Sequence, residues 1–183
     1  MSLLEFANSF RFDPIEVNDR GKHLPPSVAA ALPEEDVVVF LVADEDSDTT
    51  GFSQRYGFSL EDCANTIVIR YIKDRMEQYA AIVTLGSRRL DVNGAVREAL
   101  GAKRLSFAKR EVATEITGME FGGITAFGLP GDMRVLIDAE VMKRQFVVVG
   151  AGCRETKILL APAVLAKLPN AVAAPLTVAQ PDL

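Results

Sequence analysis

The sequence predicts a single α/β (α+β) domain, built on a mixed, curved sheet with flanking helices. Its 183 residues favour one domain, since two would be small for their cores. Hydrophobic residues make up 49% and charged residues 25%, the balance of an ordinary globular protein. Hairpin-like strand pairs alternate with crossover helices along the chain. That mixture is typical of a mixed sheet rather than of a doubly wound parallel sheet.

The N-terminal third carries few strong signals. The Pro25-Pro26 pair predicts a short helix over residues 27–32. The continuously apolar, β-branched run 37–43 predicts a buried strand. The acidic segment 44–51 predicts a polar loop, and it lacks the ligand spacing and terminal glutamate of a calcium loop.

The middle of the chain is more regular. Residues 66–72 and 79–85 predict two strands joined as a hairpin. Asp91 can cap a helix that runs to Leu100, and Gly101 would end it. A short strand over 102–107 and a second helix over 109–117 follow.

The C-terminal part alternates short elements. The sequence predicts a glycine-rich loop at 122–131, strands at 134–138, 145–149 and 157–160, a helical turn at 139–144, a helix at 162–168 and a loose tail over 171–183.

Charge and composition exclude several classes of protein. The net charge is −5, with −7 in residues 1–60 and +2 in the remainder. Such acidity argues against a non-specific nucleic-acid binder but not against contact with one end of a tRNA. We find no membrane-length apolar run and no secretory signal, which predicts a soluble protein of the reducing cytoplasm.

The common catalytic sets are absent. The single histidine, His23, excludes a histidine-rich metal site, and Cys63 and Cys153 are interpreted as unreactive thiols. Two glycine clusters remain, at 122–128 and 150–152. Glycines at strand ends allow a ligand to approach backbone N–H groups closely, or they simply form tight turns.

The order of several segments carries more information than any one of them. The segments are 65–69, 85–91, 100–104, 117–118, 122–128, 135–138 and 147–152. In this order and spacing the chain resembles the YbaK-like family, which is related to the editing domain inserted in bacterial prolyl-tRNA synthetases. The resemblance covers roughly residues 57–168. It implies an editing domain over 51–170, with 1–50 as a divergent segment packed on the same domain.

The resemblance implies hydrolysis of the ester between a wrong amino acid and the 3′ end of a tRNA, chiefly alanine or cysteine on proline tRNA. No metal or organic cofactor is implied, and the partner is the mischarged tRNA end. The implied catalytic group is Asn65, Gly122, Gly123, Ile124 and Thr125. The implied substrate-binding group is Ala126, Phe127, Gly128, Asp138, Gly150, Ala151 and Gly152. Of these, we expect Asn65, Gly123, Thr125 and Gly150 to line one pocket.

Two departures from the family pattern affect the chemistry. Asn65 stands where the family has a lysine, and Ala126 stands where the glycine-rich motif has a proline. Asparagine supplies no positive charge, so we expect weakened catalysis and a faster rate for Asn65→Lys. Strand alternation points Arg70 away from the Asn65 side, so it is not expected to substitute.

The alternative function is a non-catalytic binding module. It would keep the cavity for an aminoacyl-like ligand, a tRNA or a protein partner. An open polar pocket beside Asn65 would favour the enzyme, and a pocket plugged by side chains would favour the module. If tRNA is the substrate, some of the basic pairs should surround the pocket mouth. The pairs are Arg88-Arg89, Lys103-Arg104, Lys109-Arg110 and Lys143-Arg144.

Overall fold

The structure, a computed structural model, describes residues 1–180. Its strands are β1 (Asp13–Pro14), β2 (Val37–Leu41), β3 (Ala64–Lys73), β4 (Met76–Leu85), β5 (Arg88–Leu90), β6 (Arg104–Phe107), β7 (Arg134–Asp138), β8 (Val147–Gly150), β9 (Thr156–Leu160), β10 (Ala171–Ala174) and β11 (Thr177–Ala179). Its α-helices are α1 (Leu3–Ser9), α2 (Arg20–His23), α3 (Pro26–Ala31), α4 (Thr49–Tyr56), α5 (Arg97–Leu100), α6 (Arg110–Thr117), α7 (Ala139–Met142) and α8 (Pro162–Ala166).

The fold is a single mixed α/β domain with open sheets and flanking helices, as the sequence predicts. The larger sheet has the order β10-β7-β4-β3-β6, with parallel pairs at β10/β7 and β7/β4 and antiparallel pairs elsewhere. A second, antiparallel sheet has the order β1-β2-β9-β8, and β11 pairs with β5 in a small ladder. The strands are therefore divided between two main sheets, and the seam between these sheets positions the site.

The β3/β4 hairpin is the longest regular element. Lys73 pairs with Met76, so the turn consists of Asp74 and Arg75, both with positive φ (51° and 64°). Two left-handed residues form the tight turn that matches the twist of the strands. The hairpin starts earlier than the sequence predicts, and this extension carries Asn65 into the strand.

The segment 44–51 is not the loop that the sequence predicts. A 3₁₀ turn over Asp44–Asp46 leads into α4. The Asp48 carboxylate accepts hydrogen bonds from the amides of Thr50 and Gly51, at 3.0 and 2.9 Å. This cap satisfies amides that the first helical turn leaves free, so the acidic stretch starts a helix.

The first 50 residues pack into the body of the domain. Ile15, Leu24 and Val28 belong to the main core. Phe12 stacks on Phe40 at 4.0 Å within an aromatic cluster that also holds Phe52. The N-terminal segment thus contributes to the core beneath the second sheet.

The predicted loose tail is ordered as far as the structure describes it. Ala171 to Ala174 pair in parallel with β7, and residues 177–179 pair with β5. The buried Asp138 carboxylate accepts from the Leu176 amide at 2.9 Å and the Thr177 hydroxyl at 2.8 Å. Residues 181–183 of the predicted tail lie outside the described residues. None of the helices in residues 1–180 combines the length and apolar character that crossing a membrane requires.

Candidate functional site

A cavity of about 430 Å³ lies at the seam between the two main sheets. Cys63, just before β3, forms a single parallel bridge to Val148 of β8. At the edge of β3 that faces away from β4, pairing with β6 is limited to Ile69 to Ile72. Between Cys63 and Ile69 this edge has no paired strand among the described residues, and it borders the cavity.

Four of the predicted site residues line this cavity together: Asn65, Gly122, Ile124 and Gly150. Asn65 is exposed at the start of β3, and its Oδ1 accepts a hydrogen bond from Thr49 Oγ1 at 2.7 Å. The structure thus brings the β3 start, the glycine-rich loop and the end of β8 to one wall.

The two glycine clusters contact each other through their backbones. A Cβ at Gly150 would lie 2.7 Å from the carbonyl oxygens of both Gly123 and Ile124. A Cβ at Gly123 would lie 2.6 Å from the carbonyl carbon and oxygen of Cys153. Gly123 therefore packs against the backbone of Cys153, while Gly122 and Ile124 border the cavity.

The amides of the glycine-rich loop divide into two groups. Gly123 N–H donates to Glu120 O at 3.0 Å, and Thr125 N–H points to Met119 Sδ at 3.4 Å. Within residues 1–180 the amides of Gly122 and Ile124 have no acceptor. Both residues line the cavity, so their amides are the candidates in this loop to bind an incoming oxygen atom.

Eight predicted residues lie outside the cavity: Gly123, Thr125, Ala126, Phe127, Gly128, Asp138, Ala151 and Gly152. Thr125, Ala126, Phe127 and Ala151 are buried. A Cβ at Gly128 would lie 2.5 Å from the Ser27 backbone, so this glycine permits a close approach of α3. The sequence pattern identified the loop, but only its Gly122 and Ile124 face the cavity.

Asp138 has a different environment from the one expected of a substrate-binding residue. Its carboxylate binds Leu176 and Thr177, which tie the C-terminal strands to β7. A buried carboxylate with two donors is already satisfied.

Lys157 is the cavity residue that the sequence analysis missed. It is 8% exposed, and its Nζ donates to Ser47 O at 2.7 Å and lies 5.2 Å from the centre of the Phe52 ring. Burial lowers the pKa of Lys157, and the nearby Cys63 and Asp48 oppose that shift. The available signal was a lysine that opens the otherwise apolar strand predicted at 157–160.

Two hydroxyls add to the polar character of the cavity. Ser47, 1% exposed, and Thr66 both line it, and within the described part of the chain Ser47 Oγ and Thr66 Oγ1 have no hydrogen-bond partner. Buried polar atoms are normally paired, so both atoms can accept or donate to a bound molecule. Arg70 does not line the cavity; its Nε donates to Glu77 at 2.7 Å.

Aromatic side chains stand at the edge of the cavity. Phe107 and Phe121 are 57% and 46% exposed. Arg110 lies over the Phe121 ring at 5.2 Å, and both border a second, polar depression of about 820 Å³. Among the other predicted basic pairs, Lys143 binds Glu140 and Arg144 binds Asp62. Arg110 is thus the member of the basic pairs that we place near the cavity.

The chemistry of the cysteines is limited by burial. Burial raises the pKa of Cys63 to about 12, and it also raises the pKa of Cys153. Both groups are therefore thiols at neutral pH, and the thiolate is the reactive form. Within residues 1–180 no cluster of three or more histidine, cysteine, aspartate or glutamate side chains is arranged to hold a metal.

This burial predicts how the protein responds to alkylation. We expect iodoacetamide at pH 7 to label the two thiols only slowly, as measured by mass spectrometry. Ligand binding and any hydrolytic rate should stay unchanged during this incubation. The urea-unfolded chain, in which both thiols are accessible, is the control and should label quickly. Rapid inactivation of the folded protein, matched by modification of Cys63, would contradict the unreactive interpretation.

Comparison with protein families and with curated proteins gives two findings. The family model described as "Aminoacyl-tRNA editing domain" matches residues 47–168. The chain is 33% identical over 110 residues to the uncharacterized protein YwhH of Bacillus subtilis (strain 168), which covers 60% of this chain and 67% of that protein.

Two solved structures share the fold. One is described as a candidate trans-editing enzyme for prolyl-tRNA synthetase, with a TM-score of 0.72 and 20% identity over 85% of this chain and 99% of that one. The other is the hypothetical protein APE2540, with a TM-score of 0.69 and 21% identity over 76% of this chain and 90% of that one.

Proposed function

We propose that this chain, which belongs to the aminoacyl-tRNA editing domain family, hydrolyses the ester that joins a wrong amino acid to the 3′ end of a tRNA. One observation carries the proposal. Asn65, Gly122, Ile124 and Gly150 border a single open cavity of about 430 Å³, and side chains do not plug it. An open cavity, lined mainly by apolar groups with a few polar ones among them, suits a substrate better than a packed core does.

The residues fit named roles in this reaction. Asn65 contacts the terminal ribose or phosphate, and the amides of Gly122 and Ile124 hold the ester carbonyl oxygen. Gly150 keeps the wall beside the aminoacyl group free of a side chain. Water attacks directly, because neither cysteine is a thiolate at neutral pH.

The substrate that we propose is alanine or cysteine on proline tRNA. A cavity of limited size rejects a larger amino acid, the way in which a second sieve separates small residues. The structural likeness to a candidate trans-editing enzyme for prolyl-tRNA synthetase points in the same direction. A mischarged tRNA is met where translation occurs, so the proposal implies the cytoplasm.

The mouth of the cavity suits the unpaired end of a tRNA. Exposed aromatic rings stack on splayed bases, and an arginine beside them neutralises phosphate. Phe107, Phe121 and Arg110 provide these groups. The proposal includes slow hydrolysis, because Asn65 supplies no positive charge. Catalysis is weakened in this way unless another group in the cavity supplies that charge.

The second candidate is a binding module without catalysis. It is favoured by Asn65, which replaces a lysine and whose Oδ1 is already bonded to Thr49. A module of this kind would retain the cavity and bind the charged tRNA end without cleaving it.

A deacylation assay on a panel of mischarged tRNAs tests the proposal. Alanyl and cysteinyl proline tRNA should lose their amino acid faster than in buffer, while correctly charged prolyl tRNA should stay intact. The protein and substrate concentrations are set for single turnover, and the released amino acid is counted by its label. Binding to every charged tRNA with no release above the buffer rate would contradict hydrolysis and support the module.

A further inference from the structure

Lys157 is a buried cation without an acidic partner. The ion pairs within residues 1–180 do not include it, and its recorded acceptor is Ser47 O. An ammonium carries three donors, so N–H groups of Lys157 remain available. Asp48, which also lines the cavity, favours the charged form of Lys157 but forms no ion pair with it. Burying a charge that is not paired is unfavourable, and a wholly structural position would be filled more stably by an apolar side chain.

The Ser47 hydroxyl lies in the same part of the cavity wall. Its Oγ has no partner in the described chain, while its carbonyl receives the Lys157 ammonium. Both residues line the cavity and both are more than nine-tenths buried. An ammonium and a hydroxyl that share one small region form a donor set for an oxygen atom with negative charge.

This donor set is connected to Asn65. Ser47 O accepts from Lys157, and two residues later Thr49 Oγ1 donates to Asn65. One short segment thus contacts both the asparagine of β3 and the lysine of β9. A positive charge absent from position 65 is present on a different strand that reaches the same cavity.

We propose that Lys157 Nζ and Ser47 Oγ form a binding site for an anionic oxygen of the substrate's esterified 3′ end. The inference rests on the proposed function. The anionic oxygen is either the oxyanion formed during hydrolysis or an oxygen of the terminal phosphate. Lys157 takes over the electrostatic role that Asn65 cannot fill, and the weakening expected from Asn65 is reduced accordingly.

The hydrolytic step balances without another reactant. Water adds to the ester carbonyl carbon, and the carbonyl π electrons move to its oxygen, which becomes the oxyanion. The amides of Gly122 and Ile124 hold this oxygen, and Lys157 adds its positive charge where the anionic oxygen of the site is the oxyanion. The intermediate then breaks the bond to the ribose oxygen, which takes the proton that the attacking water loses. The products are the free amino acid and the tRNA hydroxyl.

The test uses Lys157→Met, which keeps the length of the apolar stem and removes the charge. Ser47→Ala removes only the hydroxyl, and Lys167→Met, at an exposed position just after α8, is the matched control. Three quantities are measured for each variant: the single-turnover rate at saturation, the dissociation constant for a tRNA carrying alanine through an amide bond, and the urea midpoint.

We expect Lys157→Met to lose about 10²–10³ in rate if the anionic oxygen is the oxyanion, with the amide analogue bound as before. If it is the terminal phosphate, the analogue should bind more weakly instead. The urea midpoint should change little, since removing a buried charge offsets the loss of the hydrogen bond to Ser47 O. Lys167→Met should leave all three quantities unchanged.

The outcomes separate the inference from the function. Unchanged rate and unchanged analogue binding in Lys157→Met would overturn the inference while hydrolysis by the natural chain stands. If the rate of Lys157→Met falls in proportion to a lowered urea midpoint, the role of Lys157 is purely structural. That result would overturn the inference as well. If the natural chain hydrolyses no tRNA, the proposed function fails. The inference is then decided by whether Lys157→Met weakens binding of the amide analogue.

Discussion

Asn65→Lys, introduced into the Lys157→Met variant, should raise its deacylation rate at least about tenfold. This restores part of the roughly 10²–10³-fold loss that removing the charge of Lys157 causes. The lysine would return to the β3 position, next to the segment that contacts both sites. In the natural background the same substitution should add little, because a second ammonium close to the first is repelled. Single-turnover deacylation of alanyl proline tRNA measures all four combinations.

The matched control is Asn65→Met in the Lys157→Met variant, which has a similar length and no charge. It should recover nothing. If Asn65→Lys instead accelerates the natural chain strongly, the expectation drawn from the sequence alone is correct and Lys157 does not supply the missing charge.

Gly150→Ala should lower the deacylation rate by about 10², since a displacement of about 1 Å can cost that much. A Cβ at this position would lie 2.7 Å from the carbonyl oxygens of Gly123 and Ile124. The glycine-rich loop must move away, and the amides of Gly122 and Ile124 move with it. Overpacking of this kind also costs about 1–3 kcal/mol of stability. Rate and urea midpoint are measured together.

Gly21→Ala is the control for the added methyl group. No atom lies within 4 Å of a Cβ at Gly21, and alanine is the better helix former in α2. This variant should be as active and as stable as the natural chain. A Gly150→Ala protein with full activity would mean that the contact between the glycine clusters does not position the loop.

The sequence predicts the regular elements better than the site. The β3/β4 hairpin and α6 follow from local patterns, because alternating apolar residues and a terminating glycine act over a few positions. The family resemblance likewise depends on order along the chain, and the family match confirms it. Asp48 shows where local reasoning failed: one cap converted an acidic loop into the start of a helix.

Lys157 could not be identified from the sequence because its neighbours are distant in the chain. Its acceptor belongs to Ser47, 110 residues earlier, and its strand pairs with β2 and β8. A lysine in such a run is usually at the surface, so only the three-dimensional packing shows that it is buried. Gly123 was expected to line the cavity and does not, for a related reason. The pattern identifies the loop but does not show which of its residues face the cavity.

The pairing of β2 with β9 has a consequence for synthesis on the ribosome. Val37 to Leu41 acquire their partners at Thr156 to Leu160 only after more than a hundred further residues have been added. At about 5–20 residues per second, this apolar strand waits on the order of ten seconds. During that interval the edge that β9 later covers, and the side chains of the strand, are accessible to other nascent chains. We therefore expect efficient production of the protein to depend on chaperones that cover this segment, and slower translation should increase that dependence.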